Sequence, residues 1–173
     1  MTEESILQLL LYLLPAVVVG IIAFYFFNLH TQNEEKRRKY LLHRENQKHA
    51  LPLRLQAYER MALFLERIAP GNLLVRVKPI SEKKDSYANL LVKTIEQEFE
   101  HNLAQQIYVS EECWNVVKAS KNATITRIRK TAGNEEINNA SELRQHILNS
   151  MLEQAPPSET GLSYIKKEVT NLW

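Results

Sequence analysis

ILQLLLYLLPAVVVGIIAFYFF, residues 6–27, is the stretch on which the reading of this chain turns. It carries no charge over about 22 residues, and Gln8 is its one strongly polar side chain. A helix of that length, rising about 1.5 Å per residue, measures about 33 Å and crosses a hydrocarbon core of about 30 Å. The stretch therefore reads as a transmembrane helix. A cleaved secretory signal would open on basic residues and close on a small-x-small site. This chain opens with Glu3 and Glu4, and its apolar run ends in Phe24, Tyr25, Phe26 and Phe27. A soluble core helix would keep a polar stripe, and none is present. Pro15 and Gly20 are tolerated in bilayer helices, Pro15 is expected to bend this one, and the terminal aromatics fall where an interfacial belt belongs.

Charge sets the orientation. No Lys or Arg precedes the segment, whereas Lys36, Arg37, Arg38 and Lys39 follow it, with Arg44 and Lys48 close behind. The positive-inside bias places everything after Phe27 in the cytoplasm and residues 1–5 across an inner membrane. The single Cys113 fits a reducing compartment, and the sequon Asn122-Ala-Thr124 would be inert there.

Beyond Phe27 lie about 146 residues, the size of one small domain. All 22 Lys and Arg fall in that part, with every one of the 20 acidic residues except Glu3 and Glu4, so 22 positive charges face 18 negative ones. That balance favours an anionic leaflet but falls short of the strongly basic signature of a nucleic-acid binder. Only 4 glycines and few β-branched runs argue for helices. The expected fold is all-α: a transmembrane helix (6–27), a charged stalk (28–50), a cytosolic bundle of about four helices (51–155) and a tail with a short amphipathic helix (156–173).

The stalk is polar almost all round. Glu34 with Arg38 and Glu35 with Lys39 are spaced i, i+4, which predicts that the helix continues into the cytosol. Its basic cluster, Lys36 to Lys39, serves either as contacts for anionic head groups or only as a topology signal. Pro52 is expected to close the stalk and open a first packed helix, Leu53–Ala69, whose apolar stripe is wide enough for two neighbours. Pro70-Gly71-Asn72 should stop it, and Leu73–Ile80 reads as an extended connector because of Pro79.

A second helix, capped by Ser86, is predicted to reach Ile107. Glu98, Asn102, Gln105 and Gln106 lie on or beside its apolar face. Buried polar groups need partners. Either an internal network of Arg54, Glu98, His101 and Asn102 satisfies them, or the patch is an open groove for another chain. Ser110 caps a third helix, Glu111–Ala132, acidic at its start and basic later through Lys118, Lys121, Arg127, Arg129 and Lys130. Those five charges form either a lipid- or ribosomal-RNA-binding face or a merely solvated one. Asn139 with Glu142 reads as a capping box for a fourth helix, Ser141–Gln154, which Pro156-Pro157 should break. In the tail, Leu162, Ile165 and Val169 share one side of a short helix ending near Trp173, which packs back on the bundle or docks in a partner's groove.

The chain carries one partial metal motif. Glu98-x-x-His101 matches the pair used by di-iron bundles, but Glu142 and His146 are spaced i, i+4 instead of i, i+3. The histidines and lone cysteine show no zinc spacing, and no glycine-rich phosphate loop occurs. No catalytic residue, cofactor or metal ligand is therefore assigned.

LPLRLQAYERMALFLERIAP (51–70) and EFEHNLAQQIYVSEECW (98–114) resemble a group of uncharacterised small single-pass membrane proteins of Bacteroidota. The resemblance implies a Gram-negative inner membrane and supplies no activity or site. The functional expectation is a membrane-anchored, cytosol-facing adaptor or accessory subunit of a larger membrane assembly, with a protein partner, and not an enzyme. The alternatives are a tethered module for anionic lipid or ribosomal RNA, and a metal-dependent helical-bundle enzyme.

Overall fold

The computed structural model describes residues 3–172. Every regular element among them is helical: α1 (Glu3–Ile68), α2 (Pro70–Arg76), α3 (Lys84–Glu100), a 3-10 helix (Leu103–Ile107), α4 (Glu111–Ala132), α5 (Ala140–Glu153) and α6 (Pro157–Thr170). The chain divides into two units, one ending at Ala50 and the other beginning at Leu51.

The first unit is helix throughout its described part. Its most apolar 18-residue window has a mean hydropathy of 2.0 and no buried part, so it is long and apolar enough to cross a membrane. The stalk stays helical as the charge spacing implied, but with different pairs. Arg37 lies 3.8 Å from Glu34, and Lys48 and His49 lie 3.4 and 3.6 Å from Glu45. All are exposed and contribute little to stability. Pro52 does not break the helix, contrary to expectation, because α1 runs through it to Ile68. Proline removes one N–H from the ladder, and here it stands among exposed residues where water can satisfy the freed carbonyl of Lys48.

The second unit is organised on a shared core. The last turns of α1 supply Ala57, Tyr58, Met61, Phe64, Leu65 and Ile68, all buried. α4 packs on α3, α5 and α6, while α5 also meets α2 and α3. Phe99 sits between Phe64 and Trp114, with ring centroids 5.6 and 5.2 Å away.

Several boundaries differ from the sequence reading. The preceding helix stops at Ile68 as expected, but Pro70 also starts α2, because proline at the first helical position loses no bond and has its φ preset. Only the segment after Arg76 is extended, and it is tied down: Val77 O accepts from the Tyr87 hydroxyl at 2.8 Å, and Glu82 O from the Ala140 amide at 2.9 Å. α3 begins at Lys84, two residues before the proposed Ser86 cap, and ends at Glu100, after which the chain tightens into the 3-10 helix. Pro157 likewise begins α6 at its first turn.

The remaining signals are met as written. The Ser110 hydroxyl accepts from the Cys113 amide at 3.0 Å and opens α4. Asn139 Oδ1 accepts from the Glu142 amide at 2.9 Å, and the Glu142 carboxylate returns bonds to Asn139 Nδ2 and the Asn138 amide. Those bonds, the Asn138 amide first, hold the Glu142 carboxyl below its usual range. α6 packs against α4, with Ile165 buried and Leu162 and Val169 partly so. It can do so because of Gly161, where an added Cβ would lie 2.7 Å from Ser120 Oγ and 2.9 Å from Leu65 Cδ1. A side chain there would hold the helices apart.

Candidate interaction site

The polar residues at the end of α3 converge on one carboxylate, but not with the partner proposed from sequence. Glu98 Oε1 accepts from Arg67 Nη2 at 2.6 Å and Nε at 3.0 Å, and from Arg76 Nη1 at 3.2 Å. Arg67 comes from the last turn of α1 and Arg76 from the last turn of α2, so the three helix ends are joined at one oxygen. Arg76 Nη2 also donates to Arg67 O at 3.0 Å. Burial pushes the Glu98 carboxyl up, yet the hydrogen bonds and charges of Arg67 and Arg76 outweigh it and hold the group below the usual carboxylate range.

Arg54 is placed elsewhere. Its Nε donates to Tyr108 O at 3.3 Å and its Nη2 lies 3.5 Å from the Tyr58 hydroxyl. α3 meets α1 near Phe64 and Arg67, about three turns beyond Arg54. Asn102 Nδ2 donates to Glu98 O at 2.7 Å, and His101 is exposed. Arg67 carried no sequence signal beyond its place in a helix end. The signal for Arg76 was its position three residues before Pro79 in a segment read as extended.

Beside this cluster runs a groove of about 500 Å³ between α1 and the end of α3, lined by Gln56, Glu59, Arg60, Leu63, Phe64, Arg67, Glu98, His101 and Asn102. Leu63 is 57% exposed although it lies on a helix that supplies the core. The predicted polar patch is thus both internal and open: Glu98 is paired within the fold, while His101 and Asn102 line a groove.

A second polar cluster secures α6. The Tyr58 hydroxyl donates to Glu168 Oε1 at 2.7 Å, and the Tyr164 hydroxyl donates to Glu112 Oε2 at 3.0 Å. Burial, then the Glu168 carboxylate, raise the Tyr58 hydroxyl above its ordinary value. Cys113 is fully buried nearby, and burial followed by the Glu168 charge pushes its thiol up to about 12. Leu162, Ile165 and Val169 are consequently engaged within the fold, and Trp173 lies outside the described residues.

The basic residues proposed for lipid or phosphate on α4 do not share one face. Lys36, Arg37, Arg38 and Lys39 are exposed on α1. On α4, Lys121 Nζ lies 4.5 Å from the centroid of Phe99, and Arg127 donates to Gln154 at 2.7 Å. Lys118, Arg129 and Lys130 are exposed. With about 100° between successive residues, Lys118 and Arg129 project together while Arg127 projects opposite. Among the described residues no three His, Cys, Asp or Glu side chains come together as metal ligands.

These features define a small helical unit whose first core helix is the continuation of a helix apolar enough to span a bilayer. The chain belongs to the Family of unknown function (DUF7935), matched over residues 4–172. No curated protein and no solved structure matches it.

Proposed function

We propose that this chain is a single-pass inner-membrane protein whose cytoplasmic helical unit acts as an adaptor or accessory subunit of a larger membrane assembly. The observation that carries the reading is α1, in which an apolar stretch exposed on every side and the core residues Tyr58, Met61, Phe64 and Leu65 belong to one helix. A helix of this kind tethers a folded module and offers its apolar length for lateral packing in a bilayer. The basic residues from Lys36 to Lys39 support a cytoplasmic placement of the unit. The open groove with its exposed Leu63 supports a binding role over a purely structural one.

The test is the composition and mass of the native complex released in mild detergent from its own membranes, through a tag on the N-terminus. The adaptor reading expects subunits in fixed ratio with this chain. A lone monomer or homodimer would overturn it.

A further inference from the structure

α4 packs on α3, α5 and α6, and the side turned away from them is open. At about 100° per residue its exposed positions fall along two edges. One edge carries Glu111, Lys118, Asn122 and Arg129, and the other carries Glu112, Ala119, Ala123 and Lys130. Asn115 and Thr126 lie between them. The face is thus acidic over its first turn and basic over its last, with Lys118 as the one exposed charge between. The macrodipole accounts for the sign at each end. It leaves the charges without counterparts: Glu111, Arg129 and Lys130 make no side-chain hydrogen bond or ion pair among the described residues, and Glu112 accepts from the Tyr164 hydroxyl alone.

A face of this pattern is complementary to itself. Two copies of α4 laid antiparallel about a two-fold axis between Ser120 and Lys121 bring like edges together, each residue within one position of its symmetric place. Glu111 then lies beside Arg129 of the second copy and Glu112 beside Lys130 of the second copy, and both pairings occur twice. Lys118 falls beside Asn122 of the second copy. Apart from Lys118, no exposed side chain between the charged ends is longer than asparagine, so the two helices can approach to about 8 Å. Parallel pairing would set acid against acid and base against base. A partner of another sequence would have to reproduce the polarity that a second copy carries by construction.

We propose that this face of α4 is the contact between two copies of the chain, paired antiparallel through Glu111 with Arg129 and Glu112 with Lys130. The contact is short. From Glu111 to Lys130 it spans about 29 Å, and a strip about 10 Å wide covers about 300 Å² on each copy, against about 800 Å² per partner in a standard interface. Two chains anchored in one membrane meet at a high effective concentration, which sustains a contact of that size. The inference therefore rests on the membrane anchoring proposed above and not on the adaptor role, since a pair of copies can serve within a larger assembly.

The test uses the full chain in its native membranes, with Ala119→Cys and Asn122→Cys made singly and treated with a short bismaleimide. Val75→Cys and Ile80→Cys, exposed on α2 and on the segment after it, are the controls, and the unaltered chain with its buried Cys113 is the blank. The proposal expects an adduct of twice the chain mass at the first two positions and not at the controls or in the blank. Arg129→Glu with Lys130→Glu, and separately Glu111→Lys with Glu112→Lys, should each lower the yield about tenfold or more, because attraction at both ends becomes repulsion. Co-expression of these two altered chains under different tags should restore the adduct as a mixed pair, which also shows that both remain folded. No adduct, equal adducts at the controls, a yield unchanged by either reversal, or no mixed pair would each overturn it. Alkaline extraction of the same membranes separates the two failures: a chain that stays with the lipid but gives no adduct refutes the contact, and a chain released by alkali refutes the anchoring.

Discussion

Replacing Glu98 by Gln keeps the shape of the side chain and removes the charge that two arginines share. A hydrogen bond to a charged group contributes about 1.5–3 kcal/mol when well sheltered. Here Arg67 and Arg76 are 42% and 34% exposed against 18% for Glu98, so solvent screening reduces the contribution. We expect Glu98→Gln to cost about 1–2 kcal/mol at pH 7, since Gln still offers a carbonyl oxygen to one guanidinium but leaves the other without its counter-charge. The same bonds lower the Glu98 pKa from its ordinary 4.5. A carboxyl with a lowered folded-state pKa stabilises the fold above its unfolded value, and that contribution fades as the pH falls through the folded value. The wild-type advantage should therefore be complete at pH 7 and decline below pH 4.5. Urea denaturation of the full chain in mild detergent measures this, followed by fluorescence of Trp114, which stacks on Phe99; a Trp173→Phe background isolates the signal. Equal stability of the two proteins at pH 7, or a difference that persists undiminished well below pH 4.5, would refute the reasoning.

Gly161→Ala should destabilise by about 1–3 kcal/mol, because the new methyl meets Ser120 and Leu65 below contact distance; unchanged denaturation would show that α6 is not seated this closely. Asn139→Ala should cost about 1 kcal/mol through loss of the α5 cap, read by the same assay, and no change would contradict the capping box. Cys113 should resist thiol reagents at pH 8 in the folded chain and react fully in denaturant, since it is buried and its thiol is pushed up to about 12. Because that value lies above the ordinary 9.0, stability should also fall as pH rises past 9; rapid native labelling would contradict both statements.

Local chemistry was the part of this fold legible in sequence. Ser110 and the Asn139/Glu142 pair announce helix starts because their side chains satisfy amides only a turn away. Proline was less legible. The helices before Pro70 and Pro157 stop as read, but each proline also opens the next helix, since the same ring that blocks a helix interior suits its first turn. Pro52 did not interrupt at all.

The candidate site was half legible. Polar residues on an apolar face flagged Glu98 and Asn102, but their partners depend on where three helix ends meet. Arg67, 31 positions from Glu98, has no local relation to it. Gly161 stands among Ser158, Glu159, Thr160 and Ser163 with nothing local to mark it, and only the packed structure shows that Leu65 and Ser120 occupy the space a side chain would need.

The claim on which the account rests is that residues 6–27 anchor the helical unit in a membrane with that unit on the cytoplasmic side. Sealed vesicles of known sidedness, carrying the full chain tagged at both ends, test it by alkaline extraction of one portion and protease treatment of another, still sealed, portion. The account predicts that the chain stays with the lipid and keeps its N-terminal tag. The C-terminal tag should be digested in inside-out vesicles and protected in right-side-out ones. Release of the chain by alkali, loss of the N-terminal tag through processing, or the opposite protection pattern would contradict it.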